Sequence, residues 1–347
     1  MRPTAMADTA ALLDDLLDEK TRDAVVERDH PEWVEPMKAT LTDDRFDDPE
    51  WIFERKLDGV RLLIDATAGS AVRIRSRNQE DLTGAYPEIA EAVDRMAPDD
   101  VVLDGEVVAF SGNKTSFSRL QGRMQLRDPD EARATGIAVY AYLFDIPYLD
   151  GHDLREVPLR DRKRVLRAAI DFDDPLRFTT HRNEHGRDAY EDACRKGWEG
   201  LIAKKASSTY KSGTRSREWL KFKCVKEQEF VIGGFTDPKG ERIGFGALLV
   251  GVHDGKGGPL HYAGKVGTGF DDAMLERLGG QLADLERDDS PFEDRTKRTK
   301  GVHWVEPELV GQIEFTEWTD DGRLRHPSFK GLRDDKEPAA VVREEPM

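Results

Sequence analysis

The stretch Trp51-Ile-Phe-Glu-Arg-Lys-Leu-Asp-Gly-Val-Arg-Leu-Leu-Ile64 reads as two apolar strand segments, 51–54 and 61–64, with Lys56-Leu-Asp-Gly-Val-Arg61 between them. A lysine at a strand-to-turn junction is ordinarily a solvated surface residue. By composition alone, K-x-D-G arises in roughly one chain in ten of this length. The segment gains weight from what surrounds it. Downstream, short apolar runs at 71–75, 101–103, 107–110 and 140–146 read as strands, and 82–95, 159–170 and 187–196 as helices. Strands at 200–203 and 219–223 close this region, so the alternation predicts an α+β domain over residues 31–225. Beyond it, strands at 229–235, 246–252, 261–266 and 309–318 with one helix at 271–285 predict an all-β barrel of OB type over 226–347. A sandwich of similar size fits the same periodicity. Residues 1–30, with Leu12, Leu13, Leu16 and Leu17 at loosely helical spacing, predict an extension that is one amphipathic helix or frayed.

With 347 residues, the chain is long enough for two domains. No apolar run approaches the roughly 18 residues of a membrane span, and no secretory signal is present, so a cytoplasmic protein without a membrane partner is expected. Cys194 and Cys224 are too few for a four-cysteine zinc site and read as core or incidental thiols. The net charge of −16 argues, over the whole chain, against nucleic acid as a partner. Acidic runs such as 41–48 read as solvated surface, yet 196–226 is a basic stretch within the acidic chain. Local motifs therefore decide the matter.

Six further segments follow the lysine motif in order. They are Ser76-Arg-Asn-Gln-Glu80, Leu103-Asp-Gly-Glu-Val-Val108, Phe144-Asp-Ile-Pro-Tyr-Leu-Asp-Gly151, Glu199-Gly-Leu-Ile-Ala-Lys204, Trp219-Leu-Lys-Phe-Lys223 and Arg325-His-Pro-Ser-Phe-Lys-Gly-Leu-Arg-Asp-Asp-Lys336. On this series, spanning about 36–338, the chain resembles the ATP-dependent DNA ligases of the covalent nucleotidyltransferase superfamily. It is similar in particular to the compact ligase module of prokaryotic end-joining ligases. The resemblance implies an ATP-grasp-like nucleotidyltransferase domain followed by the OB-fold barrel. It also implies sealing of nicked double-stranded DNA through a lysyl-AMP and a DNA-adenylate, in DNA repair, recombination or end joining.

The residue types suit that chemistry. Lys56 is the expected nucleophile on the α-phosphorus of ATP; a free lysine has a pKa near 10.4, so desolvation and neighbouring positive charge are needed to neutralise it. Glu106 and Glu199 are hard oxygen ligands suited to Mg²⁺ or Mn²⁺, and Glu106 also suits the ribose hydroxyl. Lys221 and Lys223 alternate about Phe222, so a strand places both ammoniums on one face, toward phosphate. By resemblance, Glu54 lies beside the adenine, Phe144 stacks on the purine, and Arg61, Arg77 and Arg215 meet phosphate or the nick. Likewise Arg325, Arg333, Asp335 and Lys336 orient pyrophosphate before a hinge near 223–226 lets the barrel swing toward DNA, for which Lys239, Arg242 and Lys265 are candidate contacts. Larger family members carry an additional N-terminal DNA-binding domain, and the residues before Pro36 are too few for one. An end-binding protein or repair polymerase is the implied helper. An RNA ligase, a capping guanylyltransferase or a non-catalytic nick-binding module are the competing readings.

Overall fold

A computed structural model describes residues 9–238, 240, 242–294 and 300–345; Lys239 lies outside the described residues. The chain divides into two compact units that meet in sequence between Cys224 and Val225.

The first unit is built on two sheets. In the larger, β3 (Val60–Ala66) lies between β4 (Arg73–Ser76) and β5 (Val101–Ser111), and β5 pairs with β6 (Val139–Leu149), against which β7 (Leu176–Phe178) runs parallel. In the smaller, the order is β8 (His181–Glu184), β2 (Asp48–Lys56), β9 (Gly200–Lys205), β10 (Arg215–Lys223), β1 (Lys38–Leu41). Period-two alternation decides which side chains go where. On the larger sheet, Leu62, Ile64, Val107, Ala141, Leu143 and Leu176 face a core completed by the helices α1 (Thr9–Leu16), α2 (Pro87–Met96), α3 (Phe117–Met124) and α4 (Leu159–Ala169). Its opposite face carries Leu63, Val102 and Phe144, which pack with Ile52 and Trp219 of the smaller sheet. Behind the smaller sheet, Phe53, Leu201, Ala203, Leu220 and Phe222 meet α5 (Gly186–Arg195) through Ala189 and Ala193. The smaller sheet is thus covered on both faces. Its strands alternate between an apolar back and a front that looks toward the larger sheet.

Several expectations change. The segments 101–103 and 107–110 form one eleven-residue strand, β5, because the polar interval Asp104-Gly105-Glu106 continues the ladder to β3 without interruption, while the pairing with β6 is irregular around Asp104. The helix expected at 82–95 starts at Pro87, whose fixed φ suits a first helical position, and the residues before it form turns. The N-terminal segment contains α1 and a four-residue helical turn, Glu19–Arg22; Leu13 and Leu17 are buried in the main core, so this segment is part of the first unit. Cys194 and Cys224 are not thiols. They are joined as a disulfide, because α5 packs across the back of the sheet and brings its last turn to the end of β10, with the Cα atoms 5.2 Å apart. Thirty residues separate the pair in sequence, so nothing local announced it.

In the second unit, the long strand β11 (Lys226–Thr236) pairs with β12 (Leu248–His253), which pairs in turn with β13 (Leu260–Val266). Along its other edge β11 pairs first with β15 (Val310–Phe315) and then with β14 (Val302–Val305), and β15 pairs with β16 (Ser328–Leu332). One helix, α6 (Asp272–Asp284), is capped by the Asp271 carboxylate and buries Leu275, Leu278 and Leu282 in the barrel core. Arg242 is half-buried, and its guanidinium donates to the carbonyls of Phe245 and Gly267 and so staples two loops. Lys265 is exposed on β13.

Candidate active site

The front of the smaller sheet collects the charged residues of three motifs. In the β2–β9–β10 register, Lys56 lies opposite Gly200 and Gly200 opposite Lys223; two residues further, Glu54, Ile202 and Lys221 form the next row on the same face. Paired residues share a face, so Lys56, Lys221 and Lys223 emerge on the front while Phe222 is buried behind. The Lys56 Nζ forms an ion pair with the Glu199 carboxylate, and both side chains are largely buried. Gly200 makes this packing feasible: a Cβ there would stand 1.9 Å from the Phe222 carbonyl oxygen, and its φ of +147° disfavours a side chain. In the motif itself, Gly59 passes so close to β5 that a Cβ would reach the Val107 carbonyl oxygen at 2.2 Å. The Asp58 carboxylate accepts from the Phe117 N–H at the start of α3 (3.1 Å), tying the Lys56 loop to the neighbouring helix.

The larger sheet contributes the facing wall. Arg61 lies opposite Glu106 across β3 and β5, so both project into the space between the sheets. The Arg61 guanidinium donates to both oxygens of the buried Asp104 (2.5 and 2.6 Å) and lies over the Phe144 ring, 4.6 Å from its centroid. Burial opposes its charge, but the Asp104 carboxylate overcomes this and holds the guanidinium firmly protonated. Tyr210 donates its hydroxyl proton to Asp104 (2.6 Å), and burial together with that carboxylate pushes its own pKa well up. Phe144 is buried, edge-on to Trp219, with the Lys204 ammonium 4.1 Å from its ring centroid. Glu54 does not stand open to a ligand. One oxygen accepts from Lys163 of α4 (2.5 Å), the other forms an ion pair with Lys204 (2.7 Å), and all three side chains are almost fully buried. Burial alone would raise the Glu54 pKa, yet the two ammoniums hold it below the ordinary value; burial, aided by Lys163, lowers that of Lys204. Asp145, next to Phe144, is likewise held down against burial by the bidentate Arg162 guanidinium (2.7 and 2.8 Å).

These directions determine an acid response. Glu54 and Asp145 have ordinary values of 4.5 and 3.8 and lower ones in the folded protein. The stability they contribute is therefore complete above pH ~5 and is lost as pH falls through their folded values. Urea unfolding followed by tryptophan fluorescence should show equal midpoints at pH 7 and 6 on their account, and a clearly lower one at pH 3. A midpoint unchanged at pH 3 contradicts this.

Other candidate residues are less concentrated. Arg77 is half-buried just past β4. Arg215 begins β10 and donates to the Ala39 carbonyl (2.7 Å). Between it and Lys221 the strand is bulged, with the register against β1 shifting between Ser216 and Leu220. In the second unit, Arg333 clasps the buried Asp335 (2.7 and 2.8 Å), Lys336 pairs with Glu229 (2.6 Å), and Arg325 pairs with the half-exposed Glu317 (2.6 Å). The structure adds Lys163, Lys204, Asp104 and Tyr210 to the site. Lys204 and Asp104 lay inside quoted motifs; Lys163 on a basic helix and Tyr210 in a loop gave no local signal.

Among the described residues, no three or more His, Cys, Asp or Glu side chains converge as a metal site. Glu106 and Glu199 are the residues expected to hold a metal, and a carboxylate is the kind of ligand Mg²⁺ takes along with water and phosphate. Nor is any helix among the described residues long and apolar enough to cross a membrane.

Comparison with known proteins agrees with this architecture. Residues 35–223 match the ATP dependent DNA ligase domain, and 241–336 match the ATP dependent DNA ligase C terminal region. The multifunctional non-homologous end joining protein LigD of Mycolicibacterium smegmatis is 40% identical over 317 residues, covering 90% of this chain and 40% of LigD. A DNA ligase of Thermococcus fumicolans is 31% identical over 305 residues, covering 83% of this chain and 53% of that protein. The chain thus spans about two fifths to one half of the length of these relatives. The solved structure of mycobacterial DNA ligase D complexed with ATP and MES superposes with a TM-score of 0.65 at 38% identity, covering 90% of this chain and 98% of that one. A nucleotidyltransferase domain with its charged cleft between two sheets, followed by an OB-fold domain, makes this chain a member of the ATP-dependent DNA ligase family.

Proposed function

We propose that the chain seals breaks in double-stranded DNA with ATP, passing through a lysyl-AMP and then a DNA-adenylate. The observation that carries this is the Lys56–Glu199 ion pair, set on the sheet face that also presents Lys221 and Lys223. In the first step the Lys56 ammonium gives up a proton to solvent, its Nζ bonds to the α-phosphorus of ATP as the bond to pyrophosphate breaks, and a second proton leaves the nitrogen to solvent to give the neutral phosphoramidate. Glu199 orients the amine. Lys221 and Lys223 stabilise negative charge developing on the phosphate oxygens. In the second step AMP passes to the DNA 5′-phosphate and frees Lys56. In the third, the 3′-hydroxyl attacks that phosphorus and AMP leaves. Mg²⁺ or Mn²⁺ held by Glu106 and Glu199 would neutralise phosphate charge. Behind this chemistry, Phe144 with the Glu54–Lys163–Lys204 cluster supports a purine site, and Arg61 and Arg77 serve phosphate or the nick. Arg215, Arg325, Arg333 and Lys336 are proposed as outer phosphate contacts, with 223–226 as the pivot between the two units.

The likeness to LigD supports a role in end joining in the cytoplasm, aided by an end-binding protein or repair polymerase. The test supplies a 5′-phosphorylated nicked duplex, Mg²⁺ or Mn²⁺, and ATP, GTP or NAD in separate reactions. Sealed DNA with ATP alone is expected. Covalent labelling by GTP in preference to ATP, or nicked RNA sealed in preference to nicked DNA, rejects the proposal.

A further inference from the structure

A cavity opens on the face of the larger sheet that also carries Arg61 and Glu106. It has a volume of about 490 Å³ and is lined by Phe110, Asn113, Arg119, Tyr140, Tyr142 and Arg177, among others. Its position follows from register. Arg61, Glu106, Tyr142 and Arg177 stand opposite one another in sequence across β3, β5, β6 and β7, so all four share one face. Neighbouring strands are about 4.8 Å apart, which puts the start of the cavity one strand beyond the Glu106 carboxylate. The alternating partners Val107, Ala141 and Leu176 are buried in the core beneath.

The rings here are not core packing. Phe110, Tyr140 and Tyr142 are only partly buried, with Phe110 edge-on to Tyr140 at 5.6 Å. The Arg177 guanidinium lies over Tyr140, 3.8 Å from the ring centroid. Its orientation is set by two hydrogen bonds to the Asp174 carboxylate (2.6 and 2.9 Å) and one to the Tyr142 hydroxyl (3.0 Å). The result is a fixed cluster of planar groups, with Arg177 over Tyr140 and Phe110 edge-on to it. Arg119 and Asn113 are exposed at the rim and offer an anion contact and an amide able to read a base edge. Aromatic rings flanked by arginine accept nucleobases by stacking and phosphate by charge, whatever the base. The cavity is also of the size that takes one small ligand.

We infer that this cavity binds one unpaired nucleotide of the DNA strand at the break. The occupant is a strand, not a free mononucleotide, because the cavity continues the face on which the DNA 5′-phosphate must meet Glu106 and Lys56. This inference rests on the ligase reading for its choice of DNA, and its test is kept separate from that reading. Binding is measured by fluorescence anisotropy at one stated salt concentration, using a dye-labelled nicked duplex that is fully paired or carries a one-nucleotide 3′ or 5′ flap. One of the flapped duplexes should bind about 10-fold more tightly than the paired nick. Tyr140→Ala and, separately, the surface change Arg119→Ala should abolish that advantage. Both variants should bind the paired nick within about 2-fold of the original protein and still acquire label from ATP, which shows that the fold is intact. Saturating dAMP should also erase the advantage. Equal binding of paired and flapped duplexes overturns the inference, even if dAMP alone occupies the cavity. So does equal weakening of both duplexes by Tyr140→Ala, which marks general backbone contact. Failure of the unaltered protein to take label from ATP would instead defeat the ligase proposal, and the anisotropy comparison would still decide the cavity.

Discussion

Replacement of Lys56 by alanine is expected to reduce protein-bound label from α-labelled ATP to background. Nick sealing with ATP should fall by at least about 10⁴-fold, the scale on which enzymes lose rate when a covalent nucleophile is removed. The fold should survive, because Lys56 sits at a strand end and outside the buried apolar clusters. A nick supplied already adenylated on its 5′-phosphate bypasses the lost step. On that substrate Lys56→Ala should retain far more of the original rate, since Lys221, Lys223 and Glu106 remain in place. Undiminished label in Lys56→Ala, or equal loss on both substrates, would falsify the covalent route through this residue.

Glu54→Gln is expected to lower folding stability by about 3–5 kcal/mol, the range found when one partner of a buried ion pair is removed. The amide leaves the Lys163 and Lys204 ammoniums buried without the carboxylate they share. Combining Glu54→Gln with Lys204→Met should recover part of the loss, because one uncompensated charge is withdrawn and the methionine fills the space between Phe144 and Trp219. Urea unfolding of the three proteins at pH 7 measures both effects. A change below about 0.5 kcal/mol for Glu54→Gln would mean that water, not the carboxylate, solvates the lysines.

Much of the framework was legible because the chemistry is local in sequence. The period-two spacing of Lys221 and Lys223 about Phe222, and the passage from mixed elements to strands near 225, follow from side-chain alternation and composition alone. What lay hidden depends on tertiary juxtaposition. Lys163 looked like one more cation on a basic helix until α4 was placed against β2, where its ammonium reaches Glu54. Tyr210 occupies a loop with no periodic signal, and only folding brings it to Asp104. The Asp104-Gly105-Glu106 interval split an apparent strand in two because its polar residues face the interior between the sheets, and hydropathy treats such residues as a break. Arg215 and Arg325 are singled out by motif position alone, and each has a partner of its own that no motif indicates, the Ala39 carbonyl for Arg215 and Glu317 for Arg325.

The Cys194–Cys224 bridge closes a macrocycle of residues 194–224 whose circumference includes Glu199, Lys204, Lys221 and Lys223. Backbone scission anywhere between residues 194 and 224 would therefore leave both fragments covalently attached, with the carboxylate and the ammoniums still on one molecule. In a thiol-buffered compartment the macrocycle opens, and cohesion of the same groups falls to strand pairing and to the packing of Phe222 beneath them.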